Sequence, residues 1–320
     1  MPAPSPTLVA GPVVVILGPT ATGKTALGVE LAERLGGEIL NADALQAYRH
    51  LSIGTAKPSP EELRRVRHHL LDVLEPDQRF SAGEFARRAR EVITELRSRG
   101  QVPFVVGGSG LYLRALLEGI SPIPPGDPEV RAELEDRLAA EGLPALYAQL
   151  QVADPATAAR LGAGDTQRIL RALEVARVTG RPLSAWIADQ PFGEQRLPAL
   201  RIGLTLPRNV LYHRISERVE RMLAAGWVQE VAKLLAAGWP PEAPAFQAIG
   251  YRQLVRHVRG ELTLNQATED IVRETRRFAK RQMTWFRREP RIRWLDAREL
   301  PQQLPELAEW VAREVGQLPC

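Results

Sequence analysis

A strand, a GxxxxGK[ST] run and a helix follow one another near the start of this chain, and no other stretch so restricts its fold. Val13-Val14-Val15-Ile16-Leu17 is a short, wholly apolar run, the pattern of a strand buried on both faces. Gly18-Pro19-Thr20-Ala21-Thr22-Gly23-Lys24-Thr25 completes the motif without a gap. Leu27, Leu31 and Leu35 then recur at helical spacing, and Gly36-Gly37 supplies the stop. In such a unit, backbone N–H groups close around phosphate oxygens and the helix N-terminus adds positive potential. Lys24 bridges the phosphates and the Thr25 hydroxyl can ligate magnesium. The expected fold is a P-loop α/β core, a parallel sheet flanked by helices.

A phosphate loop states what is held, not what is done to it. Motor and switch ATPases add a second strand of apolar residues ending in Asp. Here Val102-Pro103-Phe104-Val105-Val106 runs instead into Gly107-Gly108-Ser109-Gly110, and His69-Leu70-Leu71-Asp72 is only a short substitute. The pattern favours a small-molecule kinase or another group transferase.

Two further features bear on chemistry. A strand around residues 38–40 delivers Asn41-Ala42-Asp43-Ala44-Leu45-Gln46 at its C-terminal end, the edge where open parallel sheets bind ligands. Asp43 there could take a proton from a nucleophile, hold a magnesium-bound water, or simply cap the following turn. Lysine is also scarce: Lys24, Lys57, Lys233 and Lys280 are four among 42 basic residues. Where Arg has replaced Lys almost everywhere, the survivors mark places that need a compact ammonium, and Lys57 and Lys280 join Lys24 as candidates. Lys233, on an amphipathic stretch, reads as a surface residue.

Composition excludes several classes. No apolar stretch could span a membrane, and the Pro-rich start lacks a signal peptide's charged and apolar regions, so a cytoplasmic protein is expected. The sole cysteine, Cys320, can form neither an intramolecular disulfide nor a cysteine zinc site. Adjacent His68 and His69 lack the companions a metal needs. The net charge is only +4, but arginines crowd into a few segments, which suits a polyanionic partner.

With these pieces in place the sequence closely resembles the tRNA dimethylallyltransferase family, also called tRNA isopentenyltransferase. The resemblance runs over residues 13–294 through GPTATGKT (18–25), ADALQAY (42–48), IGTAKP (53–58), HHLLDV (68–73) and VVGGSGLYLRALLEG (105–119). It continues through QRILRALEV (167–175), AIGYRQL (248–254) and AKRQMTWFR (279–287). The resemblance implies transfer of dimethylallyl from dimethylallyl diphosphate to the exocyclic amine of the adenosine just 3′ of the tRNA anticodon, with Mg2+ as cofactor. It implies Asp43 as general base and Arg218 as a diphosphate-binding arginine beside Lys24 and Thr25. It further implies tRNA contacts at Asp43, Ala44, Leu45, Gln46, Ser109 and Arg131, and along Gln167, Arg168, Ile169, Leu170 and Arg171. A monomer is the expected state. Asn41 and Ala44 stand where the family often has Ser, and Ser109 where it commonly has Thr.

A Pro-rich stretch, residues 120–128, opens a run of helical patterns, and a strand-like segment at 200–206 returns to the core. Residues 121–199 are thus expected to form a helical insertion, with 1–120 and 200–320 as the catalytic core; the resemblance implies that the insertion grips the anticodon arm. A helix opening at Asn209 carries Arg214, Arg218 and Arg221. Thr263 and Gln266 form a capping box for a long helix ended by Pro290. Its Arg273, Arg277, Lys280, Arg281 and Arg288 are expected on one side, and Ile271, Phe278 and Trp285 on another that packs in the core.

Three competing readings share some of these parts. An adenylate isopentenyltransferase would use the same loop and base on a free nucleotide, but the long insertion argues against it. A small-molecule kinase would use ATP, and an RNA-binding module would not need Lys24, Thr25 and Asp43 together.

Overall fold

The computed structural model describes residues 11–121, 123–189 and 196–316; Cys320 lies outside them. Its centre is a six-stranded sheet of β1 (Val13–Leu17), β2 (Glu38–Asn41), β3 (His68–His69), β4 (Pro103–Gly107), β5 (Ala199–Thr205) and β6 (Ile292–Asp296). The order is β3-β2-β4-β1-β5-β6 and every pairing is parallel. Register is set by β1, where Val14 lies beside Phe104 on one side and Leu200 on the other.

The all-apolar sequence of β1 follows from this position. Val13 to Leu17 are at most 2% exposed, so the strand meets protein on both faces and has no solvent side to mark with polar residues. Because β4 lies between β1 and β2, the chain leaves β1 and returns two places away. The C-terminal ends of these three strands therefore surround the crevice where open sheets hold ligands.

The helices of the first half are α1 (Lys24–Arg34), α2 (Pro60–Arg65), α3 (Ala82–Ser98) and α4 (Gly110–Glu118). Leu27, Val29, Leu31 and Ala32 of α1 join the core with Ile39, Phe104 and Val106 of the sheet. The insertion supplies α5 (Pro128–Ala153), α6 (Pro155–Arg160), α7 (Thr166–Thr179) and α8 (Leu183–Asp189). Helix α5 is broken at Gly142, whose φ of 80° precedes Pro144. After β5 come α9 (Arg208–Ala224), α10 (Trp227–Ala236), α11 (Tyr251–Val258), α12 (Leu264–Phe286) and α13 (Leu300–Glu314).

The chain divides into two compact units, one of residues up to Leu117 and from Leu197 onward, the other Glu118–Arg196. The second has its own core of Leu134, Leu146, Leu150, Ile169, Leu170 and Leu173. The first has a further core around Trp227, Phe246 and Tyr251, where α10 and α11 meet the segment after β2. No helix among the described residues is long and apolar enough to cross a membrane.

Two differences from the sequence expectations stand out. Strand β6 went unanticipated because IRWLD puts two charged residues into five, which suits an edge strand but resembles a loop. On α12 the buried residues are Ala267, Ile271, Ala279, Gln282 and Phe286. The 271/278/285 stripe is therefore not the core face: Phe278 and Trp285 are only half-buried.

Candidate active site

The phosphate loop begins where β1 ends. Gly18 has a φ of 143°, and a Cβ there would lie 2.5 Å from the Leu204 carbonyl of β5. Only glycine lets the chain turn so close to the neighbouring strand. Thr22 is buried and its hydroxyl donates to the Pro19 carbonyl at 2.9 Å, bracing the loop from within. Gly23, at φ 90°, is the N-cap of α1 and offers no side-chain cap. The first amides of α1 thus keep their hydrogen-bonding capacity for an anion.

Lys24 is the first residue of α1, and its ammonium donates to the Pro19 carbonyl at 2.7 Å. Loss of solvation pulls its pKa down to about 8; Asp43's charge opposes that shift and Arg218's adds to it. The half-buried Arg218, on α9, is likewise lowered by burial, with Asp43 opposing and Arg221 adding. The start of α1, a loop after β2 and a helix after β5 thus bring Lys24, Asp43 and Arg218 into one electrostatic environment.

Asp43 is held by the sequence around it. The buried Asn41 side chain accepts from the Asp43 amide at 3.1 Å and donates to the Asp43 and Leu70 carbonyls at 3.0 and 3.2 Å. Asp43 Oδ1 accepts from the Leu45 amide at 3.0 Å. One oxygen thus caps the turn, while the carboxylate charge acts on Lys24 and Arg218. Ser109 Oγ accepts from the Ala44 amide at 3.1 Å, which ties the β2 loop to the β4 loop. Tyr112 adds a phenol whose pKa is raised, first by burial and then by Tyr48 and Asp43.

Several residues singled out in the sequence hold structure instead. Gln46 is buried and donates to the Thr55 and Ala56 carbonyls at 3.2 and 2.9 Å, and Leu45 packs on the Trp227 core. Lys57 donates to the Tyr48 carbonyl at 2.6 Å and pairs with Asp72 at 2.5 Å. Asp72, the short Walker-B substitute, is thus engaged by Lys57 and not by the phosphate loop. His69 pairs with Glu38 while His68 bonds the Val66 carbonyl, so the adjacent histidines point to different partners.

In the helical unit the expected tRNA-contacting run splits by burial. Ile169 and Leu170 are 0% and 1% exposed and form its core, so their side chains are corrected from contact residues to packing residues. Arg171 donates to the Pro124 carbonyl at 2.6 Å and pairs with the buried Glu174. Arg131 donates to Gln167 and pairs with Glu135. Arg168 pairs with Asp165 at 3.3 Å but keeps 67% of its side chain exposed, and it is the arginine this run turns outward.

The basic side of α12 and the turn after it form a concavity of about 410 Å³ lined by Arg277, Lys280, Arg281, Thr284, Trp285 and Arg288. Trp285, expected in the core, lies among these cations. Arg273 is instead paired with Asp270. Sequence reasoning missed Gln282, buried between Arg-rich turns of the same helix: its side chain accepts from the Thr20 amide and donates to the Gly108 carbonyl, both at 2.9 Å. The available signal was one polar residue on a face otherwise made of Ala267, Ile271, Ala279 and Phe286.

The model of the family described as IPP transferase matches residues 46–289. The chain belongs to this family. It is 52% identical over 286 residues, 89% of this chain and 84% of the other, to a tRNA dimethylallyltransferase of Syntrophobacter fumaroxidans. A tRNA dimethylallyltransferase of Geobacter sulfurreducens is 49% identical, covering 88% of this chain and 91% of that protein. Among solved structures, the full-length tRNA isopentenylpyrophosphate transferase of Bacillus halodurans superposes with a TM-score of 0.70 at 37% identity, over 96% and 97% of the two chains. A eukaryotic dimethylallyltransferase described as acting on tRNA gives 0.77 at 26% identity, over 94% and 77%. The IPP transferase match begins after Asp43, whereas the structural likeness extends over nearly the whole transferase chain.

Proposed function

We propose that this transferase moves the dimethylallyl group of dimethylallyl diphosphate to the exocyclic N6 of the adenosine 3′-adjacent to the anticodon in tRNA, releasing diphosphate. It acts in the cytoplasm as a monomer. The observation that carries this reading is the shared field of Lys24, Asp43 and Arg218 at the C-terminal edge of the sheet.

In the reaction N6 bonds to C1 of the dimethylallyl group, and the C1–O bond breaks with its electron pair leaving on the diphosphate. The N6 proton passes to the Asp43 carboxylate, because an exocyclic amine is a poor nucleophile unless it sheds its proton as the bond forms. Lys24 and Arg218, with the amides of residues 21–25, hold the diphosphate and stabilise the charge that grows on it. Lys24 leaves the Pro19 carbonyl for the phosphates, a better acceptor for an ammonium.

Mg2+ fits the donor set. Among the described residues no group of three or more His, Cys, Asp or Glu could hold a metal, but Mg2+ is usually bound by one or two protein oxygens, substrate phosphates and water. The Thr25 hydroxyl is an oxygen of that kind, and the remaining positions would fall to the diphosphate and to water. Bound there, the ion would neutralise diphosphate charge.

For tRNA, Arg168 on the helical unit and the concavity on α12 are the cationic surfaces, with Ala44 and Ser109 at the mouth of the loop crevice. Incubating the protein with labelled dimethylallyl diphosphate and either bulk tRNA or AMP tests the reading. Label should enter tRNA at adenosine and not AMP. Label in AMP alone would make the protein an adenylate isopentenyltransferase.

A further inference from the structure

We propose that Gln282 is a positioning residue that holds the phosphate loop in register from its outer side. The inference rests on the phosphate-loop reading above. Gln282 is 6% exposed, and its amide is used at both ends. Oε1 accepts from the Thr20 amide and Nε2 donates to the Gly108 carbonyl. Those partners are backbone atoms of the two loops that follow the neighbouring strands β1 and β4, so one side chain sets the spacing between them.

The surroundings are built around that amide. A Cβ on Gly108 would lie 2.3 Å from Gln282 Nε2, and one on Gly110 would lie 2.5 Å from the Trp285 ring. Successive turns of α12 thus rest on the β4 loop with no room for a side chain between. With Thr20 fixed by Gln282, the first half of the loop is anchored and the later amides are left to the phosphates. Glu at 282 would lose the donor to Gly108 and set a negative charge behind the phosphate site. Met would fill the space but make neither bond.

The test is titration of the full-length protein with inorganic pyrophosphate and Mg2+, together with steady-state kinetics. Gln282→Met, which keeps the packing, should bind pyrophosphate about tenfold more weakly, because a buried backbone donor and a buried acceptor lose their partner. The KM for dimethylallyl diphosphate should rise similarly while that for tRNA stays the same. Gly108→Ala, which displaces Gln282 without altering it, should reproduce the effect and decides the matter if the Met variant does not fold. Wild-type pyrophosphate affinity in these variants, with affinity reduced in Lys24→Ala, would overturn the inference and leave the site reading standing. Unchanged affinity in Lys24→Ala as well would overturn the site reading itself.

Discussion

The Lys24 ammonium donates to the Pro19 carbonyl 2.7 Å away, folded back onto the loop that carries it. The ammonium is poorly solvated there, which is why its pKa falls to about 8 from the usual 10.5. In the free protein Lys24 is therefore charged below about pH 8 and neutral above it. Since kcat/KM reports ionisations of the free enzyme, kcat/KM for dimethylallyl diphosphate should fall as pH rises through about 8. Lys24→Arg, which keeps its charge at every working pH, should lower the plateau and remove that descending limb. A limb that persists unchanged in the Arg variant would assign it to another group.

Arg168 and Arg171 should behave differently although they lie three apart on α7. Arg168→Ala should weaken tRNA binding and flatten the slope of log affinity against log salt by roughly 0.7 to 0.9, the loss of one phosphate contact. Arg171→Ala should instead lower the melting temperature, because the 4%-exposed Glu174 loses its cation. Equal salt slopes for wild type and Arg168→Ala would show that Arg168 meets no phosphate.

Lys57 is a tie between segments and not a phosphate ligand. Lys57→Met should cost about 1–2 kcal/mol of stability in denaturant titration, mostly from the Tyr48 carbonyl. The bond to Asp72 contributes less, because that carboxylate side chain is 54% exposed. The KM for dimethylallyl diphosphate should not move.

What the sequence disclosed and what it hid have physical reasons. The loop, Asp43 and the parallel sheet were legible because strand, turn and helix carry local patterns, and because Val13 to Leu17 can be apolar throughout only in a central strand. Strand β6 was hidden because an edge strand tolerates Arg293 and Asp296. The split of residues 167–171 was hidden because burial depends on which helix packs against which side: Arg168 and Ile169 are neighbours in sequence and opposite in exposure. Gln282 was hidden because both its partners are backbone atoms, 262 and 174 residues away, and leave no side-chain signature. Lys57 was singled out as a functional candidate for its compact ammonium, which the structure sets between the Tyr48 carbonyl and the Asp72 carboxylate.

The most direct test of the account is a single-turnover measurement on Asp43→Ala at saturating tRNA and dimethylallyl diphosphate, with the affinity for each substrate measured separately. The Asn41 clamp and the Ser109–Ala44 bond hold the loop through backbone atoms that this substitution leaves in place, so both affinities should stay close to wild type. The transfer rate should fall by roughly 100-fold to 10,000-fold, the range for removing a general base. An unchanged transfer rate, or lost affinity at normal turnover, would contradict the role assigned to Asp43.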